Sequence, residues 1–275
     1  MDLTNVKLVV TDMDGTLLDS KGRVSETFFE LFPQMQKAGI HFVAASGRQF
    51  YSITQKLTTI KEEISIIAEN GGMIKFKDQG LVFNALNNDI IRDLIPILRK
   101  IEDVFIVLCG KKGAYIETED QKFVTMFREY YPEYFYMDDL GKISDEVFFK
   151  IALYHKIDSE KHIYPSVKHL EDELQVKVSG QHWVDIAHPD ANKGNALRTL
   201  QNKLGISEKE TMAFGDFNND LEMLNYSYFS YAVENAHPNI KKAARFSTKS
   251  NDEEGVEMVL DQLIQAKKQS VKQVK

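Results

Sequence analysis

The sequence predicts an α/β fold, a parallel-sheet core interrupted by an inserted α+β module. Two observations carry this expectation. Short apolar runs alternate with helix-like segments over the first 70 residues and again after about residue 189. Buried strands separated by helices are the mark of a parallel sheet. Between about 84 and 188 that order breaks, and several strand-like runs surround two helical segments. The expected division is therefore 1–83 and 189–275 for the core and 84–188 for the insertion. No internal repeat and no Pro/Gly/Ser-rich linker marks the joins.

The first strand is Lys7 to Thr11, short and rich in β-branched residues. Ser25 to Ala38 reads as a helix, with Ser25 as N-cap and Phe28, Phe29, Leu31, Phe32 and Met35 forming its apolar face. Pro33 predicts a bend in it, and Gly39 its end. Ile40 to Ala44 and Ile64 to Ala68 read as the next strands, with a helix after Arg48 between them. In the insertion, helices are expected over Asp89–Glu102 and Asp158–Glu173. Strands there are expected at Val104–Leu108, Ala114–Glu117, Phe148–Tyr154, Val176–Ser179 and Val184–Ala187. The core grammar returns with a helix over Lys193–Leu204, stopped by Gly205. A strand follows at Thr211–Phe214, then a short helix at Asn218–Leu224, a strand at Tyr228–Val233 and a last helix from about Glu254 to Gln265.

Composition excludes several classes. With 275 residues the chain is long enough to bury a core without metal or disulfide staples. Its 43% hydrophobic and 27% charged residues are those of an ordinary globular protein. A net charge of −7 disfavours nucleic acid as a partner, since phosphate neutralisation needs a basic surface. The single cysteine, Cys109, cannot close an internal disulfide. No apolar run approaches the roughly 20 residues of a membrane span. No basic leader precedes the first strand, so no signal peptide is expected and a cytoplasmic location is the simplest expectation. The lysine-rich end, Lys267 to Lys275, is expected to fray.

The segment with most chemistry is Asp12-Met13-Asp14-Gly15-Thr16, directly after the first strand. Ligands bind at the carboxyl ends of strands in open α/β sheets. Two acids there can hold a hard cation, and one can serve as nucleophile while the other moves protons. Gly15 would permit the tight turn that aims them at one point. The plain alternative is an Asp-Gly turn in a surface loop. A calcium loop fails, because its positions six and twelve would be Leu17 and Arg23.

Gly215-Asp216-Phe217-Asn218-Asn219-Asp220 forms a second acidic cluster at a strand end. Asp216 and Asp220 could share a helical face. An acidic N-cap before a polar helix start explains them equally well, and a calcium loop again fails at Leu221 and Ser227. Two anion sites lie between the clusters. Ser46-Gly47-Arg48 offers a hydroxyl and a flexible amide before a helix, where phosphate oxygens are attracted. Lys193 opens a helix against the helix dipole, which a bound phosphate would explain and a solvated surface position would also allow. Neither a P-loop nor a dinucleotide glycine fingerprint occurs, and no Gly-x-Ser-x-Gly elbow.

Taken in order, these four motifs resemble those of the haloacid dehalogenase superfamily of phosphohydrolases, and more closely its Cof-type branch. Glu69-Asn70-Gly71-Gly72 also matches a loop that recurs there. The resemblance spans residues 7 to 233 and implies a Rossmann-like core with an inserted α+β cap. It implies that Asp12 attacks phosphorus to give an aspartyl-phosphate. Asp14 would then protonate the leaving alcohol and later activate water. Mg²⁺ would be held by Asp12, the Asp14 carbonyl and Asp216. Asp220 would order water bound to the metal without touching the metal itself, and Thr16 would orient Asp14. Ser46, the Gly47 amide, Lys193 and Asn219 would hold phosphate oxygens, with Arg48 and Asn70 near the substrate. The implied substrate is a small phosphorylated metabolite, sugar phosphates first, handled by a monomer or weak homodimer. A phosphomutase or a non-enzymatic phospho-ligand sensor on the same fold is the alternative.

Four further features read as other than catalytic. The aromatic stretch from Phe123 to Tyr136 has helical spacing at Phe123, Phe127 and Tyr130, which favours cap core over a substrate pocket or an interface. His155, His162 and His169 are not expected to share a metal. Trp183 is expected to pack, and His188-Pro189 to mark a hinge.

Overall fold

The computed structural model describes residues 2–77 and 81–273. The first part of the core runs β1 (Leu8–Asp12), α1 (Glu26–Lys37), β2 (His41–Ala45), α2 (Phe50–Lys56), β3 (Ser65–Ala68), β4 (Met73–Lys75) and β5 (Leu81–Phe83). The insertion follows as α3 (Asn88–Leu98), β6 (Val104–Gly110), β7 (Ala114–Ile116), α4 (Gln121–Phe127), β8 (Tyr134–Tyr136), β9 (Phe148–His155), α5 (Ser159–His162), α6 (Tyr164–Val167), β10 (Gln175–Gly180) and β11 (Trp183–Ala187). The core resumes with α7 (Lys193–Leu204), β12 (Thr211–Gly215), α8 (Leu221–Asn225), β13 (Phe229–Ala232), α9 (Pro238–Ala243), β14 (Phe246–Ser247) and α10 (Gly255–Gln273).

The core sheet has the order β14-β13-β12-β1-β2-β3-β4-β5. Its strands from β14 to β3 are parallel, whereas β4 and β5 are antiparallel additions. Alternation along β1 decides how it is covered. Val9 packs into a cluster with Phe28 and Leu260 of α1 and α10, while Leu8 and Val10 pack with Leu197 and Leu200 of α7. Burial on both faces explains why this strand reads as a continuous apolar run. Ser25 caps α1 by accepting from the Phe28 amide at 3.0 Å, as its sequence position predicts.

The second sheet has the order β10-β11-β9-β6-β7-β8. Its pairs are antiparallel except β7 with β8. It carries its own apolar clusters, one built with α3 and one with α4.

Two expectations change. The helix expected over Asp158–Glu173 is broken into α5, α6 and a 3-10 turn at Lys168–Asp172. Pro165 has no N–H to continue the first piece, so the chain restarts there. The expected frayed end is helical to Gln273, with Lys267 Nζ donating to the Thr4 carbonyl, and residues 274–275 lie outside the described residues. No helix of the described residues is long and apolar enough to cross a membrane.

Candidate active site

Three parallel strands bring the motifs together at one edge. Asp12 ends β1, Ser46 follows β2, and Asp216 follows β12, on the two strands flanking β1. Asn192 caps α7 by accepting from the Asn195 amide at 2.8 Å, which sets Lys193 at the first turn facing β1. Gly15 has φ +74°, and a Cβ there would lie 2.5 Å from Asp216 Oδ2, so only glycine lets this turn close on the second acidic motif.

Lys193 is 0% exposed, which rules out the solvated surface position. Its Nζ donates to Asp12 Oδ1 and, at 2.7 Å, to Asp220 Oδ1. Burial works against its charge, but Asp12 and Asp220 outweigh that and hold the ammonium above its usual pKa. Burial also pushes Asp12 up to about 7, against Lys193 and with the help of Asp220 and Asp14. Asp216 is raised well above the carboxylate range by burial and by Asp12. The site therefore crowds more carboxylate than one ammonium neutralises.

A divalent cation fits that deficit. Asp12, Asp216 and Asp220 place carboxylate oxygens within 4.8 Å of one another, a hard all-oxygen set. Among the described residues no other group of His, Cys, Asp and Glu does so. Asp220 already spends both oxygens, Oδ1 on Lys193 and Oδ2 on the Asp216 and Phe217 amides at 2.9 and 3.1 Å. That leaves Asp12 and Asp216 as the freer pair. Thr16, expected to orient Asp14, has its hydroxyl on the second acidic motif. Its hydroxyl donates to Asp216 Oδ1 at 3.2 Å, because the Gly15 turn folds it over the second motif.

Asp14 is instead held by Arg48. The guanidinium donates from Nε to Oδ2 at 2.7 Å and from Nη2 to Oδ1 at 2.6 Å, a bidentate pair that fixes the orientation of the Asp14 carboxyl group. Arg48 Nη1 also reaches Ser52 Oγ and the Glu129 carbonyl, and its plane lies 4.4 Å from the Tyr130 ring centroid. One side chain thus ties the first motif to the inserted module. Ser46 Oγ accepts from the Arg48 amide at 3.0 Å, closing the loop around Gly47.

Between the two sheets lies a cavity of about 400 Å³. Asp14, Gly47 and Arg48 form one side, and Tyr130, Lys150, Trp183 and Asp185 belong to the other. Asn70 is buried but does not line it, donating to Asp185 and accepting from Asn219 Nδ2 at 2.9 Å. The aromatic stretch divides its duties. Phe123 and Phe127 stack inside the cap core with Tyr131, which also lines the cavity, as do Tyr130 and the lone tryptophan, Trp183, their rings 5.9 Å apart. His155 and His162 stack at 4.2 Å, without His169. A larger, open groove of about 1030 Å³ along β13, β14 and α10 contains none of these residues.

Lys150, Asp185 and the full reach of Glu69 escaped the sequence reading. Their signal was a charge set inside an apolar strand, Phe149-Lys150-Ile151 and Val184-Asp185-Ile186, where solvent cannot satisfy it.

A family model described as haloacid dehalogenase-like hydrolase matches residues 9–260. The chain is 34% identical over 263 residues to the 5-amino-6-(5-phospho-D-ribitylamino)uracil phosphatase YbjI of Escherichia coli (strain K12), covering 94% of this chain and 97% of that one. It is 26% identical to the Bacillus subtilis (strain 168) phosphatase of the same description, YwtE, covering 94% and 98%. The crystal structure of SMU.1108c from Streptococcus mutans UA159 superposes with a TM-score of 0.88 at 32% identity, covering 94% and 98%. The chain belongs to the haloacid dehalogenase-like hydrolases, as its four motifs implied. The expected enzyme class, a phosphatase, agrees with the names of these relatives.

Proposed function

We propose that this protein is a Mg²⁺-dependent phosphatase of small phosphorylated metabolites, with Asp12 as nucleophile. The observation that carries the reading is the buried Lys193 beside Asp12 and Asp220, with Asp216 next to them at the strand ends. Phosphoryl transfer needs positioned positive charge more than covalent machinery, and this arrangement supplies it where water is excluded.

In the first step an Asp12 carboxylate oxygen attacks phosphorus, and the bond to the leaving oxygen breaks as Asp14 gives that oxygen a proton. In the second, water attacks the same phosphorus, Asp14 takes its proton, and Asp12 and inorganic phosphate are released. Ser46, the Gly47 amide, Lys193 and Asn219 hold the equatorial oxygens. Asp12, the Asp14 carbonyl and Asp216 would hold Mg²⁺, which neutralises phosphate charge when bound. Arg48 grips both Asp14 oxygens and orients them for the second step. The Arg48–Asp14 pair must open for the first.

The leaving group would fill the cavity toward Tyr130, Tyr154, His182 and Trp183. Flat π faces suit a substrate with a planar ring better than a bare sugar. The two ribitylaminouracil phosphatases among the relatives make such a ring-bearing polyol phosphate the first candidate, ahead of sugar phosphates. A phosphate-release screen with both classes, with Mg²⁺ and with EDTA, tests this. Release that needs Mg²⁺ is expected. Full activity in EDTA overturns the metal, and equal rates across all esters overturn the ring preference.

A further inference from the structure

The cavity wall holds a charged cluster that the reaction above does not use. Lys150 on β9 and Asp185 on β11 belong to the inserted module, and both are almost wholly buried. Their strands are neighbours, with Lys150 opposite Ala187 and Asp185 opposite Ala152, so the two side chains meet diagonally on one face. Lys150 Nζ lies 3.1 Å from Asp185 Oδ2 and then crosses to the core. There it donates to the Gly47 carbonyl at 2.7 Å and lies 3.1 Å from Glu69 Oε2. Asp185 Oδ2 also accepts from Asn70 Nδ2, and Asn70 Oδ1 accepts from Asn219 Nδ2. Every core partner of this pair is in, or beside, the group expected to hold phosphate.

The core side of the contact is unusual backbone. Glu69 and Asn70 have φ of +51° and +52°, a left-handed conformation that side chains other than glycine disfavour. They are bonded to the phosphate loop, Glu69 N to the Arg48 carbonyl at 3.1 Å and Asn70 N to the Ser46 carbonyl at 3.0 Å. The Asn70 amide packs so closely on Gly47 that a Cβ there would lie 3.0 Å from Nδ2. Ordinary packing does not need this arrangement, since a buried ion pair is seldom more stabilising than apolar residues of the same shape. It does fix registry.

We propose that Lys150 and Asp185 are positioning residues of the phosphate site. They are a cap-borne ion pair that fixes the Gly47–Arg48 peptide and the Asn70 and Asn219 amides, so that the site is complete only while the cap sheet is seated on the core. The inference rests on the phosphatase reading. It makes the cap a part of phosphate binding as well as a wall for the leaving group.

The experiment compares wild type, Lys150→Met, Asp185→Ala and Asp185→Asn in the full chain with Mg²⁺. It reads kcat and KM for p-nitrophenyl phosphate, the inhibition constant of inorganic phosphate, and the thermal midpoint. Inorganic phosphate has no leaving group, so it reports the phosphate site alone. Lys150→Met and Asp185→Ala are expected to weaken phosphate inhibition about tenfold or more and to lower kcat, at temperatures well below their midpoints. Asp185→Asn keeps an acceptor for Asn70 and should fall between them and wild type. Asp185→Ala guards against a Lys150→Met chain that does not fold, because Glu69 can then supply the counter-charge to Lys150. Folded variants with wild-type phosphate inhibition and kcat overturn the proposal. So does an Asp185→Ala chain that cannot fold, which would make the pair a requirement of the fold alone. If wild type hydrolyses no phosphomonoester, the phosphatase reading fails, and phosphate binding by calorimetry decides the positioning role separately: weaker binding in Asp185→Ala supports it, and equal or absent binding in wild type and variant overturns it.

Discussion

Lys193 and Asp12 show what burial does to a charged pair. Each is held by the other, and neither has solvent to fall back on. Removing the ammonium by Lys193→Ala strands Asp12 and Asp220 as buried like charges. A loss on the order of 3–5 kcal/mol is expected in urea unfolding, along with weaker phosphate binding. Unchanged stability and unchanged kcat/KM would return Lys193 to the role of an ordinary lysine. Asp12→Asn is nearly isosteric and removes an acid that burial already disfavours. Turnover should fall by at least about 10³-fold while the thermal midpoint holds or rises. Glu69 carries a pH signature. Burial, opposed by Lys150, pushes it up to about 7 from an ordinary 4.5, with Asp185 and Cys109 also facing it. The folded state then keeps a proton that the unfolded chain releases, so this group's contribution to stability falls as pH rises from about 4.5 to about 7 and is level above. Glu69→Gln should gain on wild type across that window by on the order of 1–3 kcal/mol, read as unfolding free energies at pH 5 and pH 8. A constant difference between the two proteins would contradict it.

At the scale of elements, legibility followed length and local signal. β1, α1 and α7 were readable because each has a clear pattern and a cap: an apolar β-branched run, Ser25 with a broad apolar face, and Asn192 leading into Lys193 with Gly205 behind. The antiparallel additions β4 and β5 were not readable, being three residues each and defined by a pairing partner rather than by their own pattern. β8 hid inside the aromatic stretch for the same reason, since its place comes from parallel pairing with β7. The broken helix at Pro165 shows the opposite error, apolar spacing trusted over a missing N–H. The cap of α1 has a second duty that only the fold reveals. Ser25 Oγ donates to Glu257 Oε1 at 2.6 Å, joining α1 to α10. Ser25→Ala removes both bonds and should cost about 1–2 kcal/mol in denaturant unfolding, with kcat unchanged. An effect on catalysis equal to that of a site residue would sink this separation.

For the whole molecule, three of the four motifs were legible because Asp12, Ser46 and Asp216 each lie at or just after the end of a core strand, while Lys193 was legible as the start of a helix. The ties between cap and core were not, because they join positions far apart in the chain: Arg48 to Glu129, Lys150 to Gly47, Asn70 to Asp185. No local spacing encodes such a pair. Arg48 is the clearest case, a fork that grips Asp14 while its remaining nitrogen holds a cap carbonyl. Arg48→Lys keeps the charge and loses the fork, so it should lower kcat/KM about tenfold with only a small change in the thermal midpoint. A wild-type kcat/KM in that variant would mean that the two sheets are coupled elsewhere.

Trp183 is the single tryptophan of the chain, and it stands in the cap wall of the cavity beside Tyr130, Tyr131 and Tyr154. The protein therefore carries its own optical reporter. Excitation at the red edge of indole absorption illuminates one residue alone, and that residue borders the space a leaving group would fill. Titrating a slowly turned-over ring-bearing phosphate into the Asp12→Asn chain should change the indole emission with a saturable curve, whereas inorganic phosphate should leave it nearly still. The ratio of the two responses would rank candidate metabolites by how they occupy the cavity, before any of them is hydrolysed and without a label.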